Sequence, residues 1–360
     1  MSRKPPANAL TVTSDERAHA KAAGLVYVCD ADEGFTRRRR GKSFQYLGLD
    51  GKRITDEDVL GRIRSLAIPP AYTQVWICAN PRGHLQATGR DARARKQYRY
   101  HVRWRSTRDL GKFTRILEFG AALPGLRRRL RKDLVLPGLP REKVLALVVS
   151  LLEETMIRIG NDAYARENNS FGLTTLRSRH VAIRKDRIEF HFRGKSGQWR
   201  DVLLDDRRLV KAVRRVQELP GQRLFQYVDD EGKRQPVDSG MVNDYLREVT
   251  GGEFTAKDFR TWGGTVQAVA VLAATSVPER GGERAVKATL AQAVKDVAAV
   301  LGNTPAVCRA SYIHPEVFSG WLDGDLQRRV PETALHYPRK LETLTLAFLR
   351  RRLRAAKRSP

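Results

Sequence analysis

Residues 141–159 read REKVLALVVSLLEETMIRI, and residues 180–204 read HVAIRKDRIEFHFRGKSGQWRDVLL. In the first stretch, apolar residues cover most of the surface that a 3.6-residue period generates. This predicts a helix enclosed on nearly every side and stopped by Gly160 and Asn161. In the second the period falls to two: Ile188, Phe190 and Phe192 alternate, a KSG turn follows, and QWRDVLL returns, so a small antiparallel sheet interrupts the helices. Further helices are expected over residues 205–219, 237–249, 256–274, 283–301 and 339–356. Upstream, from Leu25 to about Arg105, the text is short and β-like. It runs LVYVCD, then FQYLGLDGKRI with Asp50-Gly51 as a hairpin turn, then QVWICANPRGHLQATG with Pro81, Arg82 and Gly83 as a second turn. The fold class is therefore α+β: a small β-rich N-terminal domain (21–105), then a mostly helical domain with one small antiparallel sheet (106–345). Residues 1–20, polar with Pro5 and Pro6, read as a flexible basic lead, and 346–360 as a basic end.

At 360 residues and 41% hydrophobic content, the chain can bury a real core in two domains. Its 67 Lys and Arg against 40 Asp and Glu leave a formal charge of +27, spread through helical and strand-like text and not confined to a tail. Such a field favours a polyanion, although ribosomal proteins, nucleases, repressors and membrane-surface proteins share it. Charge names the partner class and not the reaction. Cys29, Cys78 and Cys308 are widely spaced with no CxxC pair, so neither a disulfide framework nor a zinc cluster is indicated, and no metal site is expected. There is no run of about 18 apolar residues, and MSRKPPANAL lacks the apolar core of a signal peptide. A cytoplasmic protein that does not engage membranes is expected.

Absent motifs prune the enzyme classes. There is no HExxH, no GxSxG and no GxGxxG opening a helix. Gly194-Lys195-Ser196 matches the end of a phosphate-binding loop, but Glu189 stands where its first glycine belongs. Adjacent carboxylates such as Glu153 and Glu154 point to different sides of a helix, which is unsuited to a two-metal site. What remains is a set of cations and one late tyrosine. Singly, each has an ordinary explanation: Arg158 could complement a helix dipole, Lys195 could be a solvated turn residue, and Tyr312 could be a half-buried core residue. Arg260, between Phe259 and Trp262, would be costly to bury without a partner. Together they fit metal-independent phosphodiester transfer. Two guanidinium forks neutralise the non-bridging oxygens, a phenol beside them becomes nucleophilic, and a lysine protonates the departing sugar oxygen. The phosphotyrosine stores the bond energy, so no cofactor is needed.

At these residues the chain resembles a type IB topoisomerase of the compact poxvirus and bacterial sort, from about Ile68 to Pro315. RIGND, SFGLTTLRSRHV, FRGKSG, FTAKDFRTWGG and LGNTPAVCRASYIHP occur in the family's order and approximate spacing. The resemblance implies that Arg158 and Arg260 clamp the phosphate, Lys195 is the general acid, and Tyr312 takes the 3′ phosphate. It also implies a monomer closing as a clamp around double-stranded DNA. One position departs from the pattern: viral and eukaryotic members carry a histidine nine residues before the tyrosine, and this chain has Asn303, a neutral donor. His314, just before Pro315, is read as structural or solvated. HLQATGRDARARKQYRYHVRW resembles the family's DNA-facing stretch and makes Gln86, Arg90, Arg93, Arg95, Lys96, Tyr98, Arg99 and Tyr100 candidate DNA contacts, with Lys257 added from KDFR. The run from Arg37 to Arg40 is either salt-sensitive affinity or a solvated loop. The nearest rival, a tyrosine recombinase or integrase, usually has a histidine three residues before its second arginine, where Lys257 stands here. A non-catalytic DNA-binding protein is the rival from another class, and retention of all four reactive residue types argues against it.

Overall fold

The computed structural model describes residues 14–41, 43–92, 94–278 and 281–356, with the side chains of 14–16 and 105–110 left out. They form two compact units that divide between Phe113 and Thr114, inside one long helix.

The first unit contains α1 (Ser14–Ala22), β1 (Gly34–Arg40), β2 (Ser43–Leu47), α2 (Glu57–Ser65), β3 (Thr73–Cys78), β4 (Leu85–Arg90) and β5 (Lys96–Tyr100). The strands make one antiparallel sheet in the order β2-β1-β3-β4-β5, so this unit is β-rich as the sequence predicts. Its details depart from that reading in four places. LVYVCD forms no strand; Val26 makes a single bridge to Gly83. The supposed arginine loop is β1, and Arg37 faces inward on it. Arg37 donates to the carbonyls of Ile68, Pro69 and Tyr72 at 3.1, 3.0 and 2.7 Å, with its guanidinium over the Phe44 ring. Part of the expected lead is α1, pinned where Ala20 is buried with Leu25 and Trp104. Finally, α2 lies within β-like text. Asp56 caps it by accepting from the N–H groups of Asp58 and Val59, and Ile63 packs beneath Val75, Ile77 and Ala87.

Helix α3 (Val102–Leu134) spans the division. The second unit continues with α4 (Arg141–Thr155), α5 (Asp162–Asn168), β6 (Val181–Arg184), β7 (Arg187–Arg193), β8 (Trp199–Leu204) and α6 (Arg207–Gln217). Then come β9 (Gln226–Val228), β10 (Arg234–Pro236), α7 (Ser239–Thr250), α8 (Ala256–Ala273), α9 (Gly282–Leu301), α10 (Pro305–Ser311), α11 (Pro315–Leu322), α12 (Asp325–Arg329) and α13 (Pro338–Ala356). The apolar periodicity of α4 has the expected outcome: every residue from Val144 to Leu152 is buried, and the helix packs against α6, α7 and α8. Helix α8 is equally enclosed, touching α4, α7, α9, α11, α12 and α13. The island forms an antiparallel sheet in the order β6-β7-β8, with Val181, Ile188, Phe190, Phe192 and Leu204 buried. The basic end is continuous with α13, which buries Leu341, Thr345, Phe348 and Leu349 and runs to Ala356. No helix among the described residues is long and apolar enough to cross a membrane.

Candidate active site

Helix α4 stops at Thr155, earlier than Gly160. Met156 turns left-handed at φ 53°, its carbonyl accepts a hydrogen bond from Arg260, and Gly263 lies so close to its thioether that a Cβ there would meet Met156 Cε at 2.3 Å. Asn161, expected to end α4, instead caps α5 through the N–H groups of Ala163 and Tyr164. Arg158 therefore sits on an extended link between two helices and not at a helix end. The SFGLTT segment holds that link: Leu173 N–H donates to Arg158 O at 2.9 Å and Thr174 N–H to Ile159 O at 2.8 Å. The two backbones approach so closely at Gly172 that a Cβ would lie 2.5 Å from Arg158 O.

The C-terminus of α9 is where the cations gather. Gly302 closes this helix in the left-handed conformation at φ 58°. The carbonyls of the last turn have no partner within the helix and carry its negative dipole end. Arg260 Nη2 donates to Leu301 O at 2.8 Å, and Arg158 Nη2 to Gly302 O at 3.0 Å. Arg158 also donates to Asn303 Oδ1. That bond fixes the Asn303 amide with its NH2 turned away from Arg158, and the buried Nδ2 has no partner among the described residues; the same is true of the buried Arg260 Nε. Burial and the Arg260 charge pull Arg158 down to about 10, against the opposing influence of Tyr312, and Arg200 adds to the lowering. It is still a cation at neutral pH.

Tyr312 ends the short α10, with the Arg260 guanidinium carbon 5.1 Å from its ring centre. Its backbone lies hard against α8: Gly264 admits the Tyr312 carbonyl at close range, and the Thr265 hydroxyl, which donates to Thr261 O at 2.8 Å, stands 3.3 Å from Tyr312 O and accepts the His314 N–H. Burial alone would raise the phenol's pKa, but the charge and hydrogen bond of Arg260, then Arg158 and Lys257, lower it below the ordinary value. Burial pushes the nearby Cys308 thiol up to about 11, so it is no competing nucleophile at neutral pH. His314 is buried, accepts the Glu316 N–H to cap α11, and is pulled down to about 4, so it brings no positive charge in place of Asn303.

Lys195 is exposed at the β7–β8 turn, in which Ser196 and Gly197 are both left-handed at φ 64° and 74°. It lines one concavity with Arg158, Arg260, Phe171 and Phe192. Arg200 lines it too, a residue the sequence reading missed. Strand alternation was its signal: Arg200 pairs with buried Phe192 and shares the inward side of β8 with Val202 and Leu204. Lys257 is exposed on the first turn of α8. Among the described residues no three of His, Cys, Asp or Glu are grouped to hold a metal ion.

The first-unit candidates are less uniform than the sequence suggested. Gln86 is buried with both ends engaged, donating to Gly83 O at 2.8 Å and accepting from Arg62 at 2.7 Å, so it braces the β3–β4 turn and does not reach outward. Arg90 and Arg95 are exposed but tied to Gln74 and Asp91 respectively. On β5 the alternation puts Lys96, Tyr98 and Tyr100 on one side, with the two tyrosine rings stacked at 6.0 Å and Lys96 paired with Asp30. Arg99 lies on the other side and donates to Ala67 O. Arg93 lies outside the described residues.

Two family models match the chain. One, the catalytic core of eukaryotic DNA topoisomerase I, covers residues 101–321; the other, the N-terminal domain of bacterial DNA topoisomerase IB, covers residues 43–91. DNA topoisomerase 1B of Acanthamoeba polyphaga mimivirus is 34% identical over 287 residues, which is 78% of this chain and 85% of that protein. DNA topoisomerase 1B of Vaccinia virus (strain Copenhagen) is 25% identical over 289 residues, 73% of this chain and 85% of that protein.

Proposed function

We propose, on the premise that this chain belongs to the type IB DNA topoisomerase family, that it relaxes supercoiled duplex DNA by cutting and resealing one strand without ATP or metal. The observation that carries this reading is the convergence of Arg158, Arg260 and Asn303 on the end of α9, with Tyr312 against Arg260 and Lys195 on the same concavity.

In the proposed reaction the Tyr312 hydroxyl gives up its proton to solvent, its oxygen attacks the scissile phosphorus, an O–P bond to tyrosine forms, and the bond to the 5′ oxygen breaks. Arg158 and Arg260 neutralise the non-bridging oxygens, and Asn303 donates its free amide hydrogen to one of them. Lys195 supplies the proton that the leaving 5′ oxygen requires. The 3′-phosphotyrosyl bond keeps the energy of the phosphodiester, so torsion in the DNA drives rotation of the free 5′ hydroxyl end and the reverse attack reseals the strand. Lys96, Tyr98 and Tyr100 form a cationic and aromatic strip suited to phosphate and base contacts. A monomer engaging the duplex from both units, as a clamp, belongs to the same proposal.

Plasmid relaxation in EDTA without nucleotide tests it. Wild type should relax positive and negative supercoils, and Tyr312→Phe should bind DNA yet form no denaturant-stable adduct. Failure of wild type on both substrates at moderate salt overturns the reading.

A further inference from the structure

The end of α9 binds a third guanidinium as well. Arg200 Nη2 donates to Val300 O at 3.0 Å, so Val300, Leu301 and Gly302 each give their carbonyl to a different arginine: Arg200, Arg260 and Arg158. The approach is close, since a Cβ on Gly302 would lie 2.0 Å from Arg200 Nη1. Among the described residues Arg200 forms no ion pair, and that single bond to Val300 O leaves its Nη1 and Nε hydrogens for another acceptor. Its position is unusual for a charge, because the inward side of β8 otherwise carries Val202 and Leu204. Burial and the Arg260 charge both lower its pKa, which marks it as part of the same cationic cluster.

We propose that Arg200 is a third cation of the phosphate site, donating to a non-bridging oxygen of the scissile phosphate and supplying the positive charge that Asn303 does not bring. The proposal rests on the strand-transfer reading above. Three guanidiniums tethered by carbonyls at one helix end are held with part of their mutual repulsion offset by the dipole, and with donors left over for an anion. A dianionic transition state is the ligand that relieves the remaining repulsion.

The test is single-turnover formation of the covalent adduct by wild type, Arg200→Met, Arg200→Lys and Arg200→Gln, each also in an Asn303→His background. Arg200→Met should slow cleavage on the order of 100-fold, as for one lost transition-state donor, with Arg200→Lys recovering much of it and Arg200→Gln little. On a substrate with a neutral methylphosphonate at the scissile position, the Arg200→Met defect should largely vanish, and in the Asn303→His background it should shrink. An equal defect on charged and neutral substrates, or equal rates for Arg200→Lys and Arg200→Gln, would reduce Arg200 to a brace for the α9 end and overturn the proposal. If Arg200→Met fails to fold, the Lys and Gln pair still decides. Absence of any wild-type adduct would instead sink the strand-transfer reading itself, so the two failures are distinguishable.

Discussion

Gly264→Ala should slow DNA cleavage while leaving the protein folded. On helical propensity alone the change is favourable by about 1 kcal/mol, since alanine replaces glycine inside the 18-residue α8. The added Cβ, however, would stand 2.7 Å from Tyr312 O, 3.0 Å from a Leu301 methyl and 3.2 Å from Tyr312 Cβ. Carbon contacts relax at about 3.5 Å, so the Tyr312 backbone has to retreat by roughly half an ångström or more. Thr265 restrains that retreat, because its hydroxyl accepts the His314 N–H at 3.1 Å, two residues beyond Tyr312. Overpacking of this kind costs about 1 to 3 kcal/mol, so the net loss of stability should be no more than about 2 kcal/mol. A 1 Å misplacement of a reacting group costs on the order of 100-fold in rate, and a defect approaching that size is expected in adduct formation. The assay is single-turnover cleavage, with thermal unfolding and DNA binding measured on the same preparation. Cleavage at the wild-type rate by a folded Gly264→Ala protein would show that the close approach of α8 does not position the phenol.

Lys195→Ala should cleave ordinary DNA very slowly. With sulfur in place of the bridging 5′ oxygen it should regain most of its rate, because a thiol of pKa about 8.5 leaves without protonation; equal defects on both substrates would remove the general-acid role. Because Tyr312 is held below the ordinary tyrosine value near 10, cleavage limited by its ionisation should rise with pH and level off before that value. Lys257→Gln, which removes one of the contributing charges, should move the inflection upward, and an unmoved inflection would discount Lys257. The same shift links stability to pH. A depressed phenol stabilises the fold fully above its unfolded pKa near 10, and that contribution is lost as pH falls through the folded value. Arg37→Ala should cost on the order of 3 kcal/mol through three lost charge-assisted bonds to backbone carbonyls, whereas the exposed Arg39→Ala should barely move the melting temperature. Equal melting temperatures for the two would contradict the bracing role of Arg37.

The helices with strong periods and clear stops were legible. The expected spans 205–219, 237–249, 256–274, 283–301 and 339–356 correspond to α6, α7, α8, α9 and α13 within a few residues, because the apolar spacing is clear there and, at α6, α7 and α9, glycine or aspartate caps agree with it. Local text failed where tertiary contact decides. Nothing in ETMIRIGND announces that Arg260 and Gly263 will pull Met156 out of the helix, and β-branched residues around α2 hid an Asp56 cap with apolar residues at 59, 60 and 63. The candidate site was read mostly from motif order, which brought Arg158, Lys195, Arg260, Asn303 and Tyr312 into view but not the α9 carbonyls that anchor the two arginines. Arg200 was in principle visible as a charge on the apolar side of an alternating strand. Gln86 was not resolvable, since a polar letter in a strand says nothing of whether its amide serves the protein or a ligand.

The three carbonyls at residues 300–302 draw their arginines from a link after one helix, from a strand and from another helix, all far apart along the chain. On the proposed reading, that arrangement makes scission conditional on completion of the fold. A nascent or locally opened chain keeps its +27 formal charge and adheres to DNA through it, but until α9 is wound and closed at Gly302 there is no anchorage to collect the guanidiniums around the phenol. Adhesion is thus a property of the polymer and nicking a property of the finished architecture. An incompletely folded molecule would, on that reading, reside on DNA without cutting it.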